Sequence, residues 1–142
     1  METRIGKIDA AVSQIDWAIA LAIDHGEFVS AITLAGAAEE ILGSAVGDEA
    51  AFYKLKASFL ASHSLDPKIL TQHHLNRAKN WLKHWDPPTE PEYDSFELEQ
   101  EAAQQIVRAI ANLVTYDRSI PSNGPRFFAW IATLPSDTAS GT

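Results

Sequence analysis

Residues 66–86 read DPKILTQHHLNRAKNWLKHWD, and this stretch predicts an amphipathic helix that sets the character of the chain. Asp66-Pro67 is a start signal, because an Asp side chain caps free N–H groups and Pro at the first helical position loses no hydrogen bond. Asp86-Pro87-Pro88 is a stop, because Pro clashes with the preceding turn and lacks a donor. At about 100° per residue, Leu70, His74, Ala78, Trp81 and Trp85 form the expected buried face. Lys68, Gln72, Lys79 and Lys83 form the expected wet face. Between the two faces run His73, Arg77, Asn80 and His84, in a 4-3-4 spacing that aligns them along one edge.

Outward from this helix, the rest of the chain also reads as helices. The fold class expected is all-α: an antiparallel bundle of about five helices with a short C-terminal helix, in a single domain 1–142 whose residues 135–142 fray. The first helix is expected at Thr3–Asp24, burying Ile5, Ile8, Val12, Ile15 and Ile19 and ending at His25-Gly26. Trp17 and Leu21 give it a second apolar strip, which points to a homodimer. The second helix is expected at Glu27–Leu42, where many small residues allow close helix approach. On its wheel Glu40 points outward, whereas Glu39 falls among Phe28, Ile32, Ala35 and Leu42. A carboxylate on an apolar face needs a partner, since unpaired burial costs several kcal/mol. The expected partners of Glu39 are Arg77, His73 or His84.

A third helix is expected over Glu49–Ser62, and His63 lies in the connection that follows it. After Asp86 the acidic segment PPTEPEYDSFE reads as a stiff, extended connection. Asp94 or Ser95 should cap the fifth helix, which buries Leu98, Ala102, Ile106, Ile110, Leu113 and Val114 up to Tyr116. Pro125 opens the short last helix, with Phe127, Phe128, Trp130, Ile131 and Leu134 as a lid on the core.

Composition narrows the function classes. The absence of cysteine excludes disulfides and Cys-based zinc sites. No HExxH or paired ExxH pattern is present, so no metal and no cofactor is expected. The start METRIGKIDA has no apolar core beside a basic region, and the apolar run 28–46 is broken by Glu39-Glu40. Neither a secretory signal nor a membrane partner is expected, and a cytoplasmic location is. A formal net charge of −8 repels polyanions at long range and argues against DNA. Lys68, Arg77, Lys79 and Lys83 nevertheless make residues 66–86 the most basic segment.

Cleavage of RNA by its own 2′-hydroxyl needs an acid or base and a cation for the charged transition state, but no metal. His84, Arg77 and Asn80 are therefore the candidate catalytic residues, with His73 and Glu39 in support. Arg77 and His84 are about 10 Å apart along a helix axis, far for a joint grip on one phosphate.

The stretch Arg77-AKNWLK-His84 resembles the HEPN superfamily of small all-α domains, many of them dimeric and metal-independent ribonucleases. The acidic residue of their second helix is similar in place to Glu39, and Ala78 departs from the polar residue usual after the Arg in active members. Asn80-Trp-Leu-Lys-His84 followed by the acidic Pro-rich segment also resembles short bacterial proteins without an assigned activity. The resemblance implies a HEPN-like module that binds RNA, a nucleotide or a protein partner through the His73/Arg77/Asn80/His84 stripe. The alternatives are a toxin-like endoribonuclease using Arg77 and His84, and a structural or interaction protein with no ligand site.

Overall fold

A computed structural model of the chain describes residues 1–51, 54 and 76–135. Most of the third expected helix, His63, His73 and the first part of the 66–86 stretch lie outside the described residues. All regular structure in the described part is helical, with α1 at Lys7–His25, α2 at Phe28–Val46, α3 at Arg77–Lys83, α4 at Leu98–Asp117 and α5 at Gly124–Ile131. A short 3-10 turn, Gly47–Glu49, follows α2.

The α1–α2 connection follows from Gly26, whose φ of 60° lies in the left-handed region that favours glycine. There the N–H groups of Gly26 and Glu27 donate to the Ala22 and Leu21 carbonyls, and the Gly26 bond closes α1 as a left-handed cap. The Glu27 carboxylate then accepts from Ser30 N at 2.9 Å and caps α2. So short a turn makes α1 and α2 antiparallel neighbours.

The core is a three-helix meeting. Ile15 and Ile19 of α1, Ile32 and Leu42 of α2, and Ile106 and Leu113 of α4 are all essentially inaccessible. Alanines line the same faces, Ala11 and Ala18 on α1, Ala31, Ala35 and Ala38 on α2, and Ala102 and Ala109 on α4. Such small side chains let the helix backbones approach closely. α2 makes its main contacts with both α1 and α4, so it is the central element. By length and composition Phe28–Glu49 is apolar enough to cross a membrane, but here α1 and α4 cover its apolar face. The C-terminal lid closes the bundle. Phe127 is fully buried, Trp130 and Ile131 pack against the core, and Asn123 binds Asp16 through both its backbone N–H and its side-chain amide at 2.9 Å.

Several expectations need correction. The helix expected through Asp86 ends at Lys83, and His84 follows in extended backbone, φ −132° and ψ 149°. The described helix begins at Arg77, after Asn76 at φ −120° and ψ 13°. The chain leaves the helix early to enter a turn, in which Glu90 N donates to the Asp86 carbonyl at 2.8 Å. Two residues of the stretch also take the opposite environment to the one expected. Lys79, expected in water, is 7% exposed, and Trp85, expected in the core, is 59% exposed. Ile5 precedes α1 and is exposed, as are Val114 and Phe128. Neither Asp94 nor Ser95 caps α4, whose boundary residue is Glu97; the Asp94 carboxylate is used elsewhere.

Candidate functional site

Glu39 is buried, 4% exposed, while its neighbour Glu40 faces outward. Among the described residues its main partner is Arg108 of α4, and neither Arg77 nor His84 pairs with it. The Arg108 guanidinium binds both carboxylate oxygens, through Nε to Oε2 and through Nη2 to Oε1 at 2.9 Å. Gln105 Nε2 donates to Oε1 at 2.9 Å, and the Lys79 ammonium stands 3.8 Å away. Arg108 Nη2 also donates to Asn76 Oδ1 at 2.9 Å. Asn112, fully buried, donates to the Glu39 carbonyl at 3.3 Å and accepts from Ala51 N at 2.7 Å. The interior charge is thereby matched in the bidentate geometry that favours Arg over Lys.

These α4 residues form a polar strip, Glu101, Gln105, Arg108 and Asn112, in the same 4-3-4 spacing as the stripe of residues 73–84. The signal was present in the sequence, beside the apolar line of Ile106 and Ile110. An Arg within a long helix is ordinarily solvated, so nothing local marked Arg108 as buried.

Lys79 reaches the interior because Gly36 makes room for it. A Cβ on Gly36 would lie 2.5 Å from Lys79 Cδ and 2.9 Å from Cγ. The Lys79 stem thus crosses α2 and its ammonium meets Glu40 Oε1 at 3.0 Å, while Lys83 approaches Oε2 at 3.6 Å. Burial pushes the Glu40 carboxyl up, but the bond and charge of Lys79 and the charge of Lys83 outweigh it and hold it below the usual range. Glu101 moves the other way: partial burial raises it, against the opposing charges of Arg77 and Arg108. A cavity of about 530 Å³ adjoins the cluster, lined among others by Glu39, Glu40, Asp48, Asn76, Lys79 and Asn112. Among its described lining residues, Glu39, Glu40 and Asp48 place three carboxylates beside the single Lys79 ammonium. Among the described residues no group of three His, Asp or Glu side chains is placed to hold a metal ion.

The stripe itself is split. Arg77 lies on the outer side of α3, its side chain 40% exposed. It donates to Asp94 Oδ1 at 2.7 Å and lies 4.3 Å over the Phe96 ring, which in turn tilts against Trp81 at 5.6 Å. Stacking and the ion pair fix the guanidinium against the segment leading into α4 while leaving part of it open. Asn80 is half-buried, and His84 is exposed beyond the helix end. Arg77 and Asn80 lie within α3, whereas His84 lies past its end, placed by extended backbone rather than by helical periodicity. Beyond it, Trp85 Nε1 donates to the Glu90 carbonyl at 3.4 Å.

Compared with models of protein families, with curated proteins and with solved structures, the chain matches none.

Proposed function

We propose that this chain is a HEPN-like helical module that binds a protein partner through the edge formed by Arg77, Asn80, His84 and the segment after it. One observation carries the reading: the interior charges are neutralised within the bundle, Glu39 by Arg108 and Gln105, whereas Arg77 and His84 stand accessible at its border. A surface whose groups are positioned by internal contacts yet remain partly open is what a binding module requires. A protein is favoured over RNA because the segment that follows His84 carries Asp86, Glu90, Glu92 and Asp94, whose charges disfavour phosphate.

A second reading, metal-independent RNA cleavage by Arg77 and His84 with Asn80 orienting, is favoured by the access of both groups to solvent. Incubation of RNA with the full chain in EDTA separates the two. The module reading expects RNA to stay intact with wild type, His84→Ala and Arg77→Ala alike. Cleavage by wild type that both folded variants lack would replace it with the nuclease reading.

A further inference from the structure

The segment after α3 displays large aromatic side chains that the bundle does not use. Trp85 is 59% exposed and Tyr93 82% exposed. Trp85 is nonetheless held in place: its indole N–H donates to the Glu90 carbonyl, and the turn beneath it is closed by Thr89 N to the Asp86 carbonyl at 3.0 Å and Thr89 Oγ1 to Asp86 Oδ2 at 2.7 Å. Pro87, Pro88 and Pro91 restrict the intervening backbone. An indole fixed in this way loses little freedom when a partner covers it, and Trp and Tyr are the residues that most often dominate interface energy.

Charge tells what covers it. Asp94 is matched by Arg77, but Glu90 and Glu92 have no ion pair among the described residues. Exposed aromatic faces flanked by unmatched carboxylates attract Lys and Arg: the ring face takes the cation and its stem, and the carboxylates steer it.

We infer that Trp85 and Tyr93, with Glu90 and Glu92, form a docking surface for an extended, Lys- and Arg-rich segment of a partner protein. This rests on the binding-module reading and names the chemistry of its partner. Trp85 and Tyr93 supply cation–π and apolar contact, and the glutamates supply orientation and a salt-sensitive on-rate.

The test titrates the full chain, by calorimetry at low salt, with an unstructured Lys/Arg-rich peptide and separately with a single-stranded RNA oligonucleotide. The peptide is expected to bind wild type, and Trp85→Ala and Tyr93→Ala are each expected to weaken it by about tenfold. Among the described residues Tyr93 makes no side-chain hydrogen bond or ring contact, so its variant separates contact from folding. Glu90→Gln with Glu92→Gln is expected to weaken the peptide and to flatten its salt dependence. Absence of peptide binding overturns the proposal, and so does peptide binding that Trp85→Ala and Tyr93→Ala leave unchanged. If RNA binds instead, and Arg77→Ala and His84→Ala abolish it, the basic partner falls while the edge remains a binding surface. If neither ligand binds, the basic partner falls, and the module reading is decided separately by the RNA-cleavage comparison.

Discussion

Arg108→Met removes the guanidinium that matches Glu39 and leaves the aliphatic volume largely in place. The side chains of Arg108 and Glu39 are 9% and 4% exposed, so solvent cannot take over the carboxylate. Removing one partner of a buried, hydrogen-bonded pair costs about 3–5 kcal/mol, much of it the penalty for the charge left behind. Gln105 still donates to the carboxylate at 2.9 Å and Lys79 stands 3.8 Å away, which places the loss near the lower end, about 3 kcal/mol. That is a large part of the ~5–15 kcal/mol typical of a domain. With a urea slope of about 1.5 kcal/mol/M the midpoint should fall by about 2 M. Glu39→Met/Arg108→Met removes both charges, and it is expected to lose at least about 2 kcal/mol less than the sum of its single variants. Urea unfolding followed by circular dichroism measures all four proteins. A loss below about 1 kcal/mol for Arg108→Met, or strict additivity in the double variant, would refute the reasoning.

Other substitutions probe the surroundings. Gly36→Ala should gain about 1 kcal/mol from helix propensity, yet the new methyl meets Lys79 Cδ at 2.5 Å and drives the ammonium from Glu39 and Glu40. The net result expected in urea melts is a loss of about 1–2 kcal/mol, and a gain would show that Lys79 can move aside without cost. Glu101 has its carboxyl raised by burial in the folded state, so its contribution to stability is present below the unfolded value and lost as pH rises through the folded one. Glu101→Gln should therefore exceed wild type in stability near neutrality, with the gap closing in acid; denaturant titrations at the two pH values would show it. Trp17, 63% exposed on α1, motivates a homodimer in which a second copy covers that face. Sedimentation equilibrium should report twice the chain mass at high micromolar concentration and the single mass for Trp17→Glu.

Which parts of the chain were legible from sequence follows the physics of each signal. Periodic apolar residues and strong punctuation are local, so α1, α2 and α4 and the stop at Gly26 could be read directly. The wheel also placed Glu39 inward and Glu40 outward, because α2 is regular and its apolar face is unambiguous. The partner of Glu39 was not legible. Pairing depends on which helix lies opposite, and the strongest local signal of α4, far along the chain, is its apolar line. Lys79 illustrates the same limit, since its burial needs both the gap at Gly36 and the two carboxylates beyond it. His84 was misplaced for a different reason: Pro87 stops a helix but does not say how many residues earlier the chain turns away.

The division between structural interior charge and an open binding edge is tested most directly by the urea midpoint of Arg77→Ala/His84→Ala beside that of wild type. Both residues lie at the border, and the Arg77–Asp94 pair is partly solvated, so the variant should stay within about 1 kcal/mol of wild type. A loss as large as that of Arg108→Met would contradict the division, because it would make the edge part of what holds the bundle together.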